Sequence, residues 1–155
     1  VFDFVTNINL ILSVISEYCT VETCPRMSAN NTIYNYLDNQ QKVQKLPACQ
    51  FIDYTLTNIQ NIIDNEQNFP TKQGAVFSQN FTQLTREICL NLFKIFAHLL
   101  TTHYDQFHQL QFLPYFNSIF YHFLSFVKKF NLIDRRELTV CDDLIKELEV
   151  NELIC

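Results

Sequence analysis

The sequence predicts an all-α fold, and three observations support this. Apolar side chains recur at spacings of three and four residues through most of the chain, which marks one face of a helix. The 155 residues include only one Gly and four Pro, whereas an all-β domain needs many turn residues. Hydrophobic residues make up 48% of the chain, enough for a sizeable core. We therefore expect residues 1–155 to form a single helical domain.

The apolar spacing predicts five helices, interrupted by one irregular excursion and one loop. The helices are expected at 2–18, 51–65, 80–102, from Pro114 to about Phe130, and at 141–149. Residues 28–48 lose the helical period and alternate around Asp38, which predicts a short irregular β-hairpin. Residues 68–81 hold the single Gly and a Pro and are expected to form a loop. The phenylalanines between 116 and 130 are predicted to be core.

Composition and charge exclude several classes of protein. The formal net charge is −5, which argues against nucleic acid as a bulk electrostatic partner because phosphate binding needs a surplus of Lys and Arg. No apolar run reaches the roughly 18 residues of a membrane span, and none has the form of a signal peptide. We expect an intracellular protein, cytoplasmic or cytoskeleton-associated, in which cysteines are reduced or metal-bound.

Two cysteines, Cys19 and Cys24, lie five positions apart and raise three alternatives: a disulfide, two buried thiols, or half of a metal site. His98 and His103 have the same spacing and would complete the donor set of a closed, structural zinc site. Five residues turn an ideal helix by about 500°, so the two imidazoles would point roughly 140° apart. A shared metal therefore requires one histidine to lie at a frayed or distorted helix end. Spacing alone leaves the three alternatives open.

Catalytic signals are weak. One glycine cannot build a phosphate-binding loop. Asp142 and Asp143 are adjacent at a predicted helix start, where carboxylates favour the helix dipole, so they are not read as an acid/base pair. A basic cluster consists of Lys128, Lys129, Arg135 and Arg136. Asp134 and Glu137 lie among these residues and next to them, so the cluster is expected to be a solvated face.

Five segments in order resemble one family. They are EYCTVETCPRMSA, FIDYTLTNIQNIID, FPTKQGAVFSQNF, FAHLLTTHYDQF and FVKKFNLIDRREL. Together they resemble the Mob (Mps-one-binder, or phocein-related) family of kinase co-activators over nearly the whole chain. The stretch FNLIDRREL is similar to the kinase-activating branch more than to phocein itself.

The resemblance implies a compact helical fold around a four-helix bundle, with structural zinc held by Cys19, Cys24, His98 and His103. It assigns no ligand role to His108. It also implies no catalysis, because the family's members are adaptors that bind the N-terminal regulatory segment of NDR/LATS-class kinases. Asp3 matches an acidic position of the kinase-facing surface, and the rest of the family's acidic N-terminal extension is absent from this chain.

The phosphopeptide pocket that the resemblance implies is degenerate in this sequence. Where the family pattern has three basic residues, this chain has Leu90, Asn91 and Lys94. A phosphate group is best held by clustered Arg side chains, so a single Lys is a weak substitute. We therefore expect a non-catalytic kinase co-activator with impaired phosphopeptide binding. The alternative is a Mob-like structural subunit of a larger protein assembly, with no kinase-activating role.

Overall fold

The computed structural model of the chain describes the backbone of residues 1–150 and the side chains of residues 1–147. Seven α-helices lie within this part of the chain: α1 Phe2–Ile15, α2 Ala48–Asp64, α3 Phe81–Thr102, α4 Tyr104–Gln109, α5 Leu113–Lys129, α6 Arg135–Leu138 and α7 Asp142–Val150. The predicted all-α class is confirmed, and each of the five predicted helices is present with ends shifted by a few residues. No helix within residues 1–150 is both long and apolar enough to cross a bilayer.

Two antiparallel hairpins occupy the excursion between α1 and α2, where the sequence predicted one. Strands β1 Ser28–Ala29 and β2 Thr32–Ile33 form the first, and β3 Tyr36–Leu37 and β4 Val43–Gln44 form the second. The second is the predicted hairpin, and Asp38 holds its turn. One carboxylate oxygen of Asp38 accepts hydrogen bonds from the backbone N–H groups of Gln40 and Lys42, each at 2.9 Å. An Asp that bonds the backbone two residues ahead is a turn-forming device.

The four long helices α1, α2, α3 and α5 pack around one core. Phe96 of α3 is fully buried, and its ring lies 5.0 Å from that of Phe123 and 5.5 Å from that of Phe120, both of α5. Phe4 of α1 meets Phe123 edge-on at 5.3 Å. The predicted α5 stripe is therefore core over most of its length. The prediction is wrong for Phe130, the last phenylalanine of the stripe. This residue is 56% exposed, because it caps the C-terminal end of α5 beyond the packed face.

Candidate metal centre

The structure brings Cys19, Cys24, His98 and His103 together. Their candidate ligand atoms all lie within 4.8 Å of one another. All four residues are buried, with exposed fractions of 7%, 4%, 0% and 2% respectively. The two cysteines are free thiols, so the disulfide alternative finds no support in the structure.

The cysteines are placed by a tight turn after α1. The backbone N–H of Cys19 donates to the carbonyl of Ile15, which carries the end of the helix one turn further. The hydroxyl of Thr23 then donates to the carbonyl of Tyr18 at 2.6 Å and closes the turn between the two thiols. Hydroxyl side chains that bond nearby backbone groups stabilise turns of this kind. These two hydrogen bonds stabilise the turn that carries both thiols.

The histidines are placed by the end of α3. His98 lies inside the helix, whereas His103 is its C-terminal capping residue, with φ −115° and ψ 18°. This departure from helical geometry is the distorted end that the five-residue spacing required. It turns the two rings towards each other, with centroids 5.3 Å apart. The structure thus places His103 at the kind of helix end that a shared metal would require.

Each histidine faces one cysteine at a distance that fits tetrahedral zinc. The Nε2 atom of His98 lies 3.6 Å from Sγ of Cys19, and that of His103 lies 3.5 Å from Sγ of Cys24. Zinc bonds of about 2.3 Å to sulfur and 2.0–2.1 Å to nitrogen, at the tetrahedral angle, place the two donors roughly 3.6 Å apart. The residues therefore fit a closed two-cysteine, two-histidine site, which leaves no position for a substrate or a reactive water.

Burial shifts the pKa values of Cys19 and of the two histidines when no ion is bound. Burial, with a smaller contribution from the neighbouring Cys24 thiol, raises the pKa of Cys19 to about 12. It lowers the pKa of His98, and it lowers the pKa of His103 to about 4, helped by the nearby His98. The Cys19 thiol is thus protonated and both imidazoles are neutral near pH 7. A metal that binds cysteine as thiolate must displace the thiol proton.

The two histidines differ in what holds their second nitrogen. The Nδ1–H of His98 donates to the backbone carbonyl of Ser28 in β1 at 2.6 Å. This bond fixes the tautomer that leaves Nε2 free as a ligand, which is the usual outer support of a metal-binding histidine. The Nδ1 atom of His103 is buried and has no hydrogen-bond partner among the described residues.

The other predicted site residues lie elsewhere. Leu90, Asn91 and Lys94 line one cleft of about 240 Å³ between α3, α2 and the second hairpin. The Lys94 ammonium lies 5.7 Å from the centre of the Tyr34 ring, and burial lowers its pKa. Glu87 also lines this cleft, and the sequence reasoning missed it. It precedes Leu90 by three residues and Lys94 by seven, so helical periodicity could have placed it on this face.

Asp3 lies in the first turn of α1 and is exposed. It is therefore available to a partner at the end of α1 opposite the metal ligands.

Outside the metal centre, Cys89 and Cys141 are buried, and burial raises their pKa values to about 11 and about 12. Thiols of this kind are structural, since reactive cysteines have lowered pKa values.

The structure is therefore a helical bundle with a buried set of two thiols and two imidazoles that could hold a metal ion. The chain belongs to the Mob1/phocein family, whose sequence profile matches residues 1–141.

The similar proteins include "MOB kinase activator 2" of Homo sapiens, 38% identical over 145 residues, and "Maintenance of ploidy protein mob2" of Schizosaccharomyces pombe, 41% identical over 150 residues. These alignments cover 94% and 96% of this chain and 61% and 62% of the relatives. "CBK1 kinase activator protein MOB2" of Saccharomyces cerevisiae is 40% identical over 150 residues, which is 96% of this chain and 52% of that protein. The chain thus spans between about half and three fifths of the length of these relatives.

Proposed function

We propose that this chain is a non-catalytic co-activator that docks the N-terminal regulatory segment of an NDR/LATS-class kinase. The observation that carries the proposal is the likeness, over nearly the whole chain, to proteins named as kinase activators. The alternative, a structural subunit of a larger assembly, has no comparable support from these names. The proposal includes a single domain over residues 1–155 and an intracellular location.

The role proposed for the metal centre is structural. Zinc held by Cys19, Cys24, His98 and His103 would join the segment after α1 to the end of α3. The Ser28 carbonyl adds β1 to the same unit, because it fixes the ring of His98. Metal-binding energy in such a site is folding energy, since the unfolded chain has no preformed site. A full coordination shell supports the proposal that the protein is not an enzyme.

The proposed docking surface includes Asp3. A formal net charge of −5 is compatible with a basic partner segment, whose encounter with the protein would be faster at low salt. The exposed carboxylate of Asp3 lies next to Phe2, which is 52% exposed, so apolar and acidic groups are adjacent there. This combination suits an amphipathic helix with basic residues.

The proposed function does not include tight phosphopeptide binding. In the cleft lined by Leu90, Asn91 and Lys94, burial lowers the pKa of the Lys94 ammonium, and favourable interactions with Glu137 and Glu87 offset part of that decrease. An incoming phosphate would meet the repulsion of Glu87, which lines the same cleft. One partly neutralised cation is a poor substitute for an Arg cluster.

Docking can be tested by calorimetry with a recombinant N-terminal regulatory segment of an NDR/LATS-class kinase. We expect micromolar or tighter binding, weakened at least about fivefold (about 1 kcal/mol) by Asp3→Lys. The matched control is Glu147→Lys, the same charge reversal at an exposed acid of α7. Absence of binding by the folded, metal-loaded wild type would reject the co-activator proposal and favour the structural-subunit alternative. Equal affinity of the two variants would reject Asp3 as a docking residue.

A further inference from the structure

Two buried polar atoms at the N-terminal end of α4 have no hydrogen-bond partner among the described residues. One is Nδ1 of His103, and the other is Oε1 of Gln106. Buried polar groups in folded proteins are nearly always paired, so each orphan needs an explanation. Here the two are complementary, because an imidazole N–H donates and an amide oxygen accepts.

The two atoms are not hydrogen-bonded to each other in this structure, but their residues lie three positions apart, so a change of side-chain rotamer can bring them into contact. His103 is the N-terminal capping residue of α4, and Gln106 is the third residue of that helix. Side chains at the cap and at this third position are neighbours, and a Gln there is long enough to reach back to the cap residue. The backbone N–H of Phe107 donates to the carbonyl of His103, so the turn that joins the two positions is formed. Gln106 is half-buried, with its amide oxygen turned inward.

Metal binding would decide which atom of His103 carries the proton. If Nε2, which faces Cys24, binds the ion, the remaining proton must be on Nδ1, and Nδ1 becomes an obligatory donor. We propose that Gln106 is the positioning residue of the metal centre: its Oε1 accepts a hydrogen bond from Nδ1–H of His103 in the loaded site. This inference rests on the zinc site proposed above. It gives His103 the outer support that the Ser28 carbonyl gives His98.

The proposed bond has a definite consequence for the metal. It would hold the His103 ring in the orientation that directs Nε2 to the ion, and it would make this nitrogen a better donor. Loss of such an outer partner typically lowers metal affinity by about 10–100-fold. His98 would be unaffected, because its own partner is a backbone carbonyl on a different element.

Zinc affinity is the first test, measured on the full chain by competition with a chromophoric chelator. Gln106→Met keeps the length of the side chain but removes the acceptor, and we expect affinity to fall by about 10-fold or more. Gln106→Glu keeps an acceptor and should bind within about threefold of wild type, or tighter. The control Gln109→Met makes the same change at an exposed position of the same helix and should leave affinity unchanged.

A spectroscopic signature separates this role from a general loss of packing. In the zinc-loaded wild type, long-range proton–nitrogen NMR should show Nδ1–H of His103 as a slowly exchanging, hydrogen-bonded proton. Gln106→Met should lose that protection while the Nδ1–H of His98 keeps it. Equal zinc affinity and equal protection in Gln106→Met and Gln109→Met would overturn the inference and leave the zinc site intact. Failure of the wild type to bind one zinc ion would overturn both.

Discussion

Replacing one metal-binding thiol should destabilise the protein far more than replacing an equally buried thiol elsewhere. The two positions are Cys24, 4% exposed in the candidate metal centre, and Cys141, 5% exposed and not part of that centre. Serine at either position buries a hydroxyl in place of a thiol. Both variants therefore lose a similar amount from packing and desolvation, about 1–3 kcal/mol. Only Cys24→Ser also loses a zinc ligand.

The expected difference in stability between the two serine variants follows from the coupling of metal binding to folding. A metal that binds only the folded state adds RT ln(1 + [L]/Kd) to the free energy of unfolding, which is about 4.1 kcal/mol when free zinc is a thousand times Kd. For a chain of 155 residues each kcal/mol shifts Tm by roughly 2–4 °C. Loss of the zinc contribution should therefore lower Tm by about 8–16 °C. The ion would connect two segments that are 79 residues apart in sequence.

The assay is thermal and urea unfolding of wild type, Cys24→Ser and Cys141→Ser, each with buffered free zinc and with a strong chelator. We expect the chelator to destabilise the wild type and Cys141→Ser by similar amounts and to have little effect on Cys24→Ser. In the presence of the chelator the two serine variants should become nearly equal in stability. Elemental analysis should give one zinc per chain for the wild type and Cys141→Ser.

An unchanged wild-type Tm after complete removal of zinc would show that the metal does not stabilise the fold. Serine variants that differ as much with the chelator as without it would show that the difference in stability comes from packing alone. Both outcomes are accessible in the same set of unfolding curves.

Two further predictions concern the cleft and the second hairpin. The wild type should bind a phosphothreonine peptide weakly in a fluorescence anisotropy assay. The triple variant Leu90→Lys, Asn91→Arg, Lys94→Arg should bind the same peptide at least about 10-fold more tightly. Tight binding by the wild type would contradict this prediction. Hydrogen bonds from the turn, first of all from the Lys42 backbone N–H, lower the pKa of Asp38. The ionised carboxylate therefore stabilises the hairpin above the ordinary aspartate pKa. This stabilisation is lost as the pH falls through the lowered pKa of the folded protein. Hydrogen exchange at the Gln40 amide, referenced to a denatured control at each pH, should show protection that declines below that point; protection that stays constant down to pH 2 would refute it.

The long helices could be predicted because each carries several turns of apolar periodicity. The elements that were missed are short. Helix α4 has six residues and buries only Phe107, and α6 has four residues, so neither is long enough to display a period. The first hairpin has strands of two residues, and its signal was the Asn-Asn pair between them. Asn30 adopts φ 52°, a left-handed conformation that Asn tolerates better than most residues.

The four residues of the candidate metal centre could be named from the sequence only with the help of the family resemblance, because residue type and spacing alone left three alternatives open. The need for one histidine at a distorted helix end followed from the 3.6-residue period, and His103 occupies that position. The hydrogen-bond partners of the two histidines could not be predicted from the sequence. The partner of His98 is a backbone carbonyl 70 residues away in sequence, which no pattern of side chains can reveal. The orphan atoms of His103 and Gln106 likewise emerge only from burial in three dimensions.

The metal centre and the cleft differ in what a substitution costs the protein. Removing one ligand from the metal centre leaves three donors in a site where every residue is at most 7% exposed, so the loss falls on folding. The cleft lies at the surface, and Leu90 and Asn91 there are only half-buried. Neutral side chains at those two positions therefore leave the fold intact and reduce only the attraction for an anion. We therefore expect this fold to tolerate the loss of phosphate binding in the cleft more readily than the loss of a ligand in the candidate metal centre.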